Sequence, residues 1–297
     1  MSVIESFVPV YHGSGFECSI AEPVDSNSFF LLSLKRTEVY PDRPNIVFLH
    51  GWFGSSEDFN FALQKYQDRY NLFAFDLRGH GDSDSPLDRS WSIHELAADI
   101  HCVLSQFLGK NYRASFIASS LSAAVALTYA QKYPQFVEKM VLISPTTKFS
   151  IPLWLKSLAR VSPKKLIKLT AKVFEQSIKF FASEKEMNDY RKFFDRLINA
   201  PLEIQKKIVE ETLATYSVDV EKLQQIHSPI LILAGQDDKV IPYDDTAKLH
   251  SYLPNSVLIT FEEMKHRLLS QMPELILTLS MLFMEDTSLF QRKNIVN

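Results

Sequence analysis

Three closely spaced serines stand where a short apolar run meets an alanine-rich one, and one of them could act as a nucleophile. Ser119, Ser120 and Ser122 follow Phe116-Ile117, which predicts the end of a strand. A serine at a tight strand-to-helix turn exposes its hydroxyl, with the helix N-terminus behind it. Such a turn crowds the residues two before and two after the nucleophile, so both must be small.

Neighbour size separates these serines. Ser119 is disfavoured because the bulky Ile117 and Leu121 lie two residues away on either side. Ser120 and Ser122 both have small residues at those positions. A nucleophile at Ser122 would lengthen the strand by two residues and shorten the helix, so the residues favour Ser120. Serines that simply cap a helix start are the alternative interpretation.

A serine nucleophile needs a base that takes its proton and an acid that orients the base. His266 follows a predicted strand at 257–261 and can accept a proton near neutral pH. Asp237 and Asp238 directly follow another predicted strand, at 230–233. Either carboxylate could be the acid, and ordinary turn chemistry is the alternative for both.

Attack of the serine on a carbonyl creates an oxyanion, which needs fixed hydrogen-bond donors. One donor would be the backbone N–H of Leu121, at the start of the predicted helix. The other would come from the loop His50-Gly-Trp-Phe-Gly54, after a predicted strand at 45–49. Donors of this kind contribute about 3 kcal/mol each in the transition state.

Alternating strand and helix patterns surround these residues. Apolar runs predict strands at 29–34, 45–49, 72–75, 116–117, 140–143, 230–233 and 257–261. Ser92 and Glu95 form a capping box before a helical pattern, and an alanine-rich helix from Leu121 to Tyr133 ends at Pro134. The alternation predicts an α/β fold with a mostly parallel central sheet flanked by helices. Its strands end at the candidate residues, where open α/β sheets place their sites.

Residues 146–228 interrupt this alternation. They contain no strand-like run and no glycine, and Pro152, Pro163 and Pro201 stand at plausible helix starts. We expect an inserted all-helical cap (the predicted cap, 146–228) on a core domain of 1–145 and 229–297. Most of its aromatic residues are expected to hold it together and a few to line an apolar acyl pocket. These aromatic residues are Phe149, Trp154, Phe174, Phe180, Phe181, Phe193 and Phe194.

Charge also distinguishes the predicted cap. It has 15 Lys+Arg against 10 Asp+Glu, in a chain whose net charge is −3. Lys164, Lys165, Lys168 and Lys172 recur at helical spacing. A solvated helix face is the plainer interpretation. The functional alternative is a docking face for an acidic partner, such as an acyl carrier or an anionic lipid surface, and oligomer contacts are a third.

The overall composition is that of an ordinary soluble globular protein, with 46% hydrophobic and 23% charged residues. Its charge does not suggest a nucleic-acid partner. The first ten residues do not resemble a signal peptide, and the apolar run at 275–284 is too short to span a bilayer. Cys18 and Cys102 are too few for a disulfide framework and fit a reducing compartment. We therefore expect a cytoplasmic protein without a cofactor or metal.

Several motifs resemble those of the α/β-hydrolase superfamily. His50-Gly-Trp-Phe-Gly54 resembles the oxyanion loop of the family, in which the residue after the glycine, here Trp52, supplies an amide. Asp76-Leu-Arg-Gly-His-Gly-Asp-Ser83 is similar to the D-x-R-G-x-G-x-S loop of its small members. Gly235-Gln-Asp-Asp238 matches G-x-x-D, whose last residue is the triad acid, and this favours Asp238 over Asp237.

The remaining matches concern the nucleophile and the base. Lys265-His266, followed by Pro273-Glu274, matches the histidine loop of the family. Pro134 lies at the usual distance after Ser120 for the helix that follows the nucleophile, which supports Ser120 over Ser122. The chain order of serine, acid and histidine is also that of the family. One departure is that residues 118–123 contain no glycine, although the usual elbow is G-x-S-x-G-G.

The resemblance implies an α/β-hydrolase fold and the activity of a small serine esterase or thioesterase with a helical cap. Catalytic residues would be Ser120, Asp238 and His266, with Trp52 and Leu121 as oxyanion donors. The substrate would be a small-molecule ester or thioester with an apolar acyl group. Acyl transfer and carbon–carbon bond hydrolysis on the same triad are alternatives. The glycine-free elbow also leaves open a catalytically silent binding protein.

Overall fold

The computed structural model of the chain describes residues 2–11, 29–150, 191 and 201–290. Within these residues the strands form one sheet, ordered β1-β2-β4-β3-β5-β6-β7-β8. They are β1 (Ile4–Tyr11), β2 (Phe29–Arg36), β3 (Asn45–Leu49), β4 (Asn71–Phe75), β5 (Ala114–Ser119), β6 (Val137–Ile143), β7 (Ile230–Gly235) and β8 (Ser256–Phe261). β2 pairs antiparallel with β1 and β4, and all other neighbours are parallel.

Helices cover both faces of this sheet. They are α1 (Asn60–Tyr66), α2 (Ile93–Leu108), α3 (Leu121–Lys132), α4 (Leu202–Lys207), α5 (Val220–Leu223), α6 (Tyr243–Tyr252), α7 (Leu268–Gln271) and α8 (Pro273–Glu285). Alternate residues of a strand point to opposite faces. Val47 and Leu49 of β3 accordingly pack in the core with α2 and α3, and Ile46 and Phe48 pack with α1 and α8. The continuous apolar run is therefore explained by burial on both sides.

The predicted α/β architecture is confirmed, with one strand added. β1 was not predicted, and it contains Pro9. Proline is tolerated in edge strands, where one side of the backbone makes no ladder bonds, and β1 is one of the two edge strands of this sheet in the described residues. Ser92 caps α2 as predicted, and its hydroxyl accepts the Glu95 N–H at 3.3 Å.

The predicted cap is described only at its two ends, 146–150 and 201–228, and at residue 191. Pro201 precedes α4 as predicted, and α4 continues into a π-helix at Ile208–Leu213. The all-helical cap and its domain boundaries stay a prediction. The other features predicted there lie outside the described residues: Pro152, Pro163, Trp154, Phe174, Phe180, Phe181, Phe193, Phe194, Lys164, Lys165, Lys168 and Lys172.

The two described ends of the predicted cap meet each other and the core. Lys148 forms an isolated antiparallel bridge with Ser217, and the N–H of Val218 donates to the Thr147 carbonyl at 2.9 Å. Asp245 of α6 accepts the Thr147 N–H at 2.9 Å and the hydroxyls of Thr146 and Thr147. The carboxylate thus fastens the first residues of the segment to the core.

One expectation about the cysteines is wrong. Cys102 is disulfide-bonded rather than a free thiol, and Cys18 lies outside the described residues. Disulfides are rare in reducing compartments, so the cysteines do not support the cytoplasmic location, which stays a prediction. Among the described helices, none combines the length and the apolar character that crossing a membrane requires.

Candidate active site

The turn between β5 and α3 (the elbow, residues 118–122) presents Ser120 at the C-terminal end of β5. Its backbone has φ 52°, in the left-handed region that residues other than glycine seldom adopt. The N–H of Ser120 donates to the Ile143 carbonyl at 2.8 Å, which holds the turn against β6. Ala118 and Ser122 are both 0% exposed, so the crowding expected from the sequence is present.

Ser120, His266 and Asp238 form one hydrogen-bonded chain of side chains. Ser120 Oγ lies 2.9 Å from His266 Nε2, and His266 Nδ1 lies 2.7 Å from Asp238 Oδ2. An ionised carboxylate only accepts hydrogen bonds, so the proton of the neutral imidazole is assigned to Nδ1. Nε2 is then free to accept the proton of Ser120.

Backbone amides hold the Asp238 carboxylate in place. Its Oδ1 accepts the N–H groups of Val240 and Ile241, both at 2.8 Å, and its side chain is 3% exposed. The other oxygen is left facing His266. Asp237, the alternative from the sequence, is exposed. The structure therefore brings Asp238, and not Asp237, to the histidine.

The loop that contains His266 (the histidine loop, 262–266) lies directly against the end of β7. A Cβ atom at Gly235 would be 2.3 Å from the Met264 carbonyl oxygen, so only glycine permits this approach. The N–H of Asp237 donates to the same carbonyl at 2.9 Å. From the opposite side, the Ser144 hydroxyl donates to the carbonyl of His266 at 3.0 Å. The segments that carry Asp238 and His266 are thus also joined through their backbones.

The loop after β3 (the oxyanion loop, residues 50–54) lies beside the elbow. A Cβ atom at Gly51 would be 3.4 Å from Ser120 Cβ, in ordinary contact. The Gly51 carbonyl accepts the Gly54 N–H at 2.9 Å and the N–H of His50 Nδ1 at 2.7 Å, so Trp52 lies within a tight turn from Gly51 to Gly54. Trp52 follows Gly51, and Leu121 follows Ser120. The amides of Trp52 and Leu121 therefore each directly follow one of two residues, Gly51 and Ser120, that lie close to each other.

His50 is buried at the end of β3 rather than exposed to substrate. It is 0% exposed, and its Nε2 accepts the N–H of Leu77 at 3.1 Å. With Nε2 as an acceptor, Nδ1 carries the proton and donates to the Gly51 carbonyl. These two bonds attach the ring to Gly51 of the oxyanion loop and to Leu77, so His50 has a packing role at the end of β3.

The Asp76–Ser83 motif connects the loop after β4 to segments that flank the site. Asp76 Oδ1 accepts the N–H of Ser56 at 2.6 Å, and its Oδ2 accepts that of Asp82 at 3.0 Å. Arg78 forms a buried two-pronged pair with Asp99, at 2.7 and 2.6 Å. These bonds tie the loop after β4 to α2 and to the segment after the oxyanion loop.

The described residues include no candidate metal-binding site. Across the described ranges, 2–11, 29–150, 191 and 201–290, no group of three or more His, Cys, Asp and Glu side chains could hold a metal ion.

A sheet of this order, with a serine elbow after β5, an acid after β7 and a histidine after β8, defines the α/β-hydrolase fold. The family model for this fold matches residues 44–270, and the chain belongs to that family. The family membership and fold expected from the sequence are thus confirmed, and the fold implies a small-molecule substrate and hydrolase activity.

Individual relatives are similar over most of their length. The uncharacterized hydrolase YugF of Bacillus subtilis is 25% identical over 249 residues, covering 80% of this chain and 88% of the relative. A pimeloyl-[acyl-carrier protein] methyl ester esterase of Nitrosomonas europaea is 24% identical, covering 78% and 92%. The crystal structure of a hydrolase from Pseudomonas aeruginosa superimposes with a TM-score of 0.73 at 16% identity, covering 92% of this chain and 100% of that one.

Two residues of the site were not identified from the sequence. Ser144 follows β6 with φ 50° and bonds the backbone of His266. Its position just before Pro145, at the end of a strand that pairs with β5, was the available signal. Gly235 was recognised only as part of a motif, and its contact with the histidine loop supplies the physical reason for glycine there.

Proposed function

We propose that the chain hydrolyses a carboxylic ester or thioester with an apolar acyl group through an acyl-enzyme intermediate. The observation that supports this most strongly is the hydrogen-bonded chain from Ser120 Oγ through His266 to Asp238, with contacts of 2.9 and 2.7 Å. In this proposal Ser120 is the nucleophile, His266 the general base and Asp238 the acid that orients it.

The reaction follows from these positions. Ser120 Oγ attacks the substrate carbonyl while its proton passes to His266 Nε2. The ionised Asp238 stabilises the resulting imidazolium through Nδ1. Nε2 then returns the proton to the leaving alcohol or thiol as its bond to the acyl carbon breaks. A water molecule, deprotonated by the same nitrogen, attacks the acyl-enzyme and releases the carboxylic acid and Ser120.

The amides of Trp52 and Leu121 are the proposed oxyanion donors. Leu121 is the first residue of α3, where an N–H has no partner within the helix. Trp52 is next to Gly51, which approaches Ser120 Cβ. No hydrogen bond between described residues involves either amide. Both donors would be fixed before the reaction, and this preorganisation is what makes such donors effective.

The substrate class rests on the surroundings of the site and on a relative. Trp52 stacks on Phe53, with ring centroids 4.7 Å apart, which supports an apolar wall beside the nucleophile. The Nitrosomonas europaea relative is named as an esterase of a carrier-bound methyl ester. An acyl carrier as the partner of this chain is a further part of the proposal, and it depends on lysines of the predicted cap that lie outside the described residues.

The test is hydrolysis of a p-nitrophenyl ester series by the purified protein, combined with a fluorophosphonate probe. We expect turnover of medium-length acyl esters, one probe per chain, and loss of both in Ser120→Ala. Ser119→Ala is the matched control, since it removes a neighbouring hydroxyl that makes no contact with His266 among the described residues. Wild-type turnover in Ser120→Ala, or no labelling of the wild-type protein, would contradict the proposal.

A further inference from the structure

The other serine of the elbow makes a contact that the proposed reaction does not use. Ser122 is 0% exposed, and its hydroxyl donates to the carbonyl of His50. We propose that Ser122 is a positioning residue for the oxyanion hole: its hydroxyl fixes the His50 carbonyl and thereby directs the Trp52 N–H towards the reacting carbonyl. This inference rests on the proposed function.

The connection between Ser122 and Trp52 runs through two successive peptide groups. A trans peptide is planar, so its C=O and N–H point in opposite directions. The Gly51 carbonyl is held by the Gly54 N–H and by His50 Nδ1, which fixes the direction of the Trp52 N–H on the same peptide. Ser122 holds the preceding peptide through the His50 carbonyl. Without that bond, the Ser122 side chain no longer holds the peptide group between His50 and Gly51.

The contact differs from the ordinary bond of a serine within a helix. Serine hydroxyls in helices commonly donate to a carbonyl of the preceding turn, as Ser280 does to Ile276 at 2.7 Å. Ser122 instead reaches a carbonyl 72 residues away, at the end of β3. It joins the nucleophile segment to the oxyanion loop. A glycine at this position, as in the usual elbow of the family, could not make this bond.

The expected effect is intermediate between no change and loss of a donor. Removal of one oxyanion donor lowers kcat about 10²–10³-fold. Loss of Ser122 would leave the Trp52 amide present but less well directed, so we expect part of that effect, about 10–100-fold. Substrate binding does not depend on the direction of this amide to the same extent, so KM should change little.

The experiment compares Ser122→Ala and Ser122→Gly with the wild-type protein and with Ser280→Ala. Ser280 is a matched control because it is also 0% exposed and its hydroxyl also donates to a backbone carbonyl, which lies within its own helix, α8. For each protein, kcat and KM are measured with a p-nitrophenyl ester. The inhibition constant of an alkylboronic acid, which forms a tetrahedral adduct with a nucleophilic serine, is measured alongside.

In both Ser122 variants we expect kcat to fall about 10–100-fold with KM nearly unchanged, and the boronate constant to rise by a similar factor. Ser280→Ala should match the wild type. A kcat within about threefold of wild type, or an equal loss in Ser280→Ala, would overturn the inference. So would an unchanged boronate constant, or loss of the fold in both Ser122 variants while Ser280→Ala folds. Failure of the proposed function is distinct, because the wild-type protein would then neither hydrolyse the ester nor bind the boronate.

Discussion

Gly235→Ala should disable the site through the backbone of the histidine loop. The new Cβ atom would lie 2.3 Å from the Met264 carbonyl oxygen and 2.8 Å from that of Lys265. Ordinary contact begins at 3.4 Å, so the first of these distances must grow by about 1.1 Å. Both atoms belong to the backbone and cannot rotate away as a side chain could. The loop itself has to move, and His266 is the next residue.

The size of the effect follows from that displacement. His266 Nε2 is 2.9 Å from Ser120 Oγ, and a shift of about 1 Å removes a well-formed hydrogen bond. Misplacement of a reacting group by about 1 Å can lower the rate about 10²-fold. We therefore expect kcat for a p-nitrophenyl ester to fall about 100-fold in Gly235→Ala, with a much smaller change in KM.

Gly109→Ala is the matched control for this substitution. Gly109 has φ 77°, and no heavy atom lies within 4 Å of the position that a Cβ atom would take, so alanine there strains the backbone without touching a neighbour among the described residues. It should lower the unfolding temperature slightly and leave kcat unchanged. A Gly235→Ala protein that keeps its kcat within about threefold of wild type would refute the steric reasoning. So would a loss of kcat shared equally by Gly109→Ala.

Three further substitutions test other parts of the structure. Asp238→Asn should lower kcat about 10³–10⁴-fold in the ester assay, because an amide cannot hold the same imidazole tautomer. Arg78→Met should lower the free energy of unfolding by about 3–5 kcal/mol in urea titrations, since it removes the guanidinium that pairs with the buried Asp99 carboxylate. Burial lowers the pKa of His101 to about 4 from 6.5, so the unfolded state binds more protons between these values. Stability should therefore fall as the pH drops through that window, and His101→Phe should remove this part of the pH dependence of the unfolding temperature.

Each of these predictions has a result that contradicts it. Asp237→Asn is the control for the acid, and an equal loss of kcat in that variant would shift the role away from Asp238. Breaking a buried ion pair is expected to cost about 3–5 kcal/mol. A free energy of unfolding within about 1 kcal/mol of wild type in Arg78→Met would contradict a large contribution of the Arg78–Asp99 pair to stability. An unchanged pH profile in His101→Phe would show that other groups cause the acid sensitivity.

The sequence predicts the sheet well because a strand buried on both faces needs an unbroken apolar run. β3, with Ile46 to Leu49 all 1% exposed or less, shows that constraint directly. β1 was missed because an edge strand is constrained less and tolerates Pro9. The core strands and the other edge strand, β8, could therefore be predicted from their apolar runs, whereas β1 could not.

In the candidate site, too, some features could be predicted from the sequence and others could not. The positions of Ser120, Asp238 and His266 after β5, β7 and β8 follow from chain order and motif spacing. The bonds of Ser122 and Ser144 do not, because each joins segments distant in sequence, 72 and 122 residues apart. Hydroxyls have no periodic pattern, and their partners are known only once the strand ends are placed side by side.

At Ser120 the requirements of stability and of activity conflict, because the positive φ favours glycine whereas the proposed reaction needs the serine hydroxyl. A side chain other than glycine in that region destabilises the folded state by about 1–3 kcal/mol, and φ is 52° here. Ser120→Gly should therefore raise the unfolding temperature above that of Ser120→Ala, although both lack the hydroxyl. A screen that selects only for heat resistance would favour glycine at this position and return folded, inert proteins.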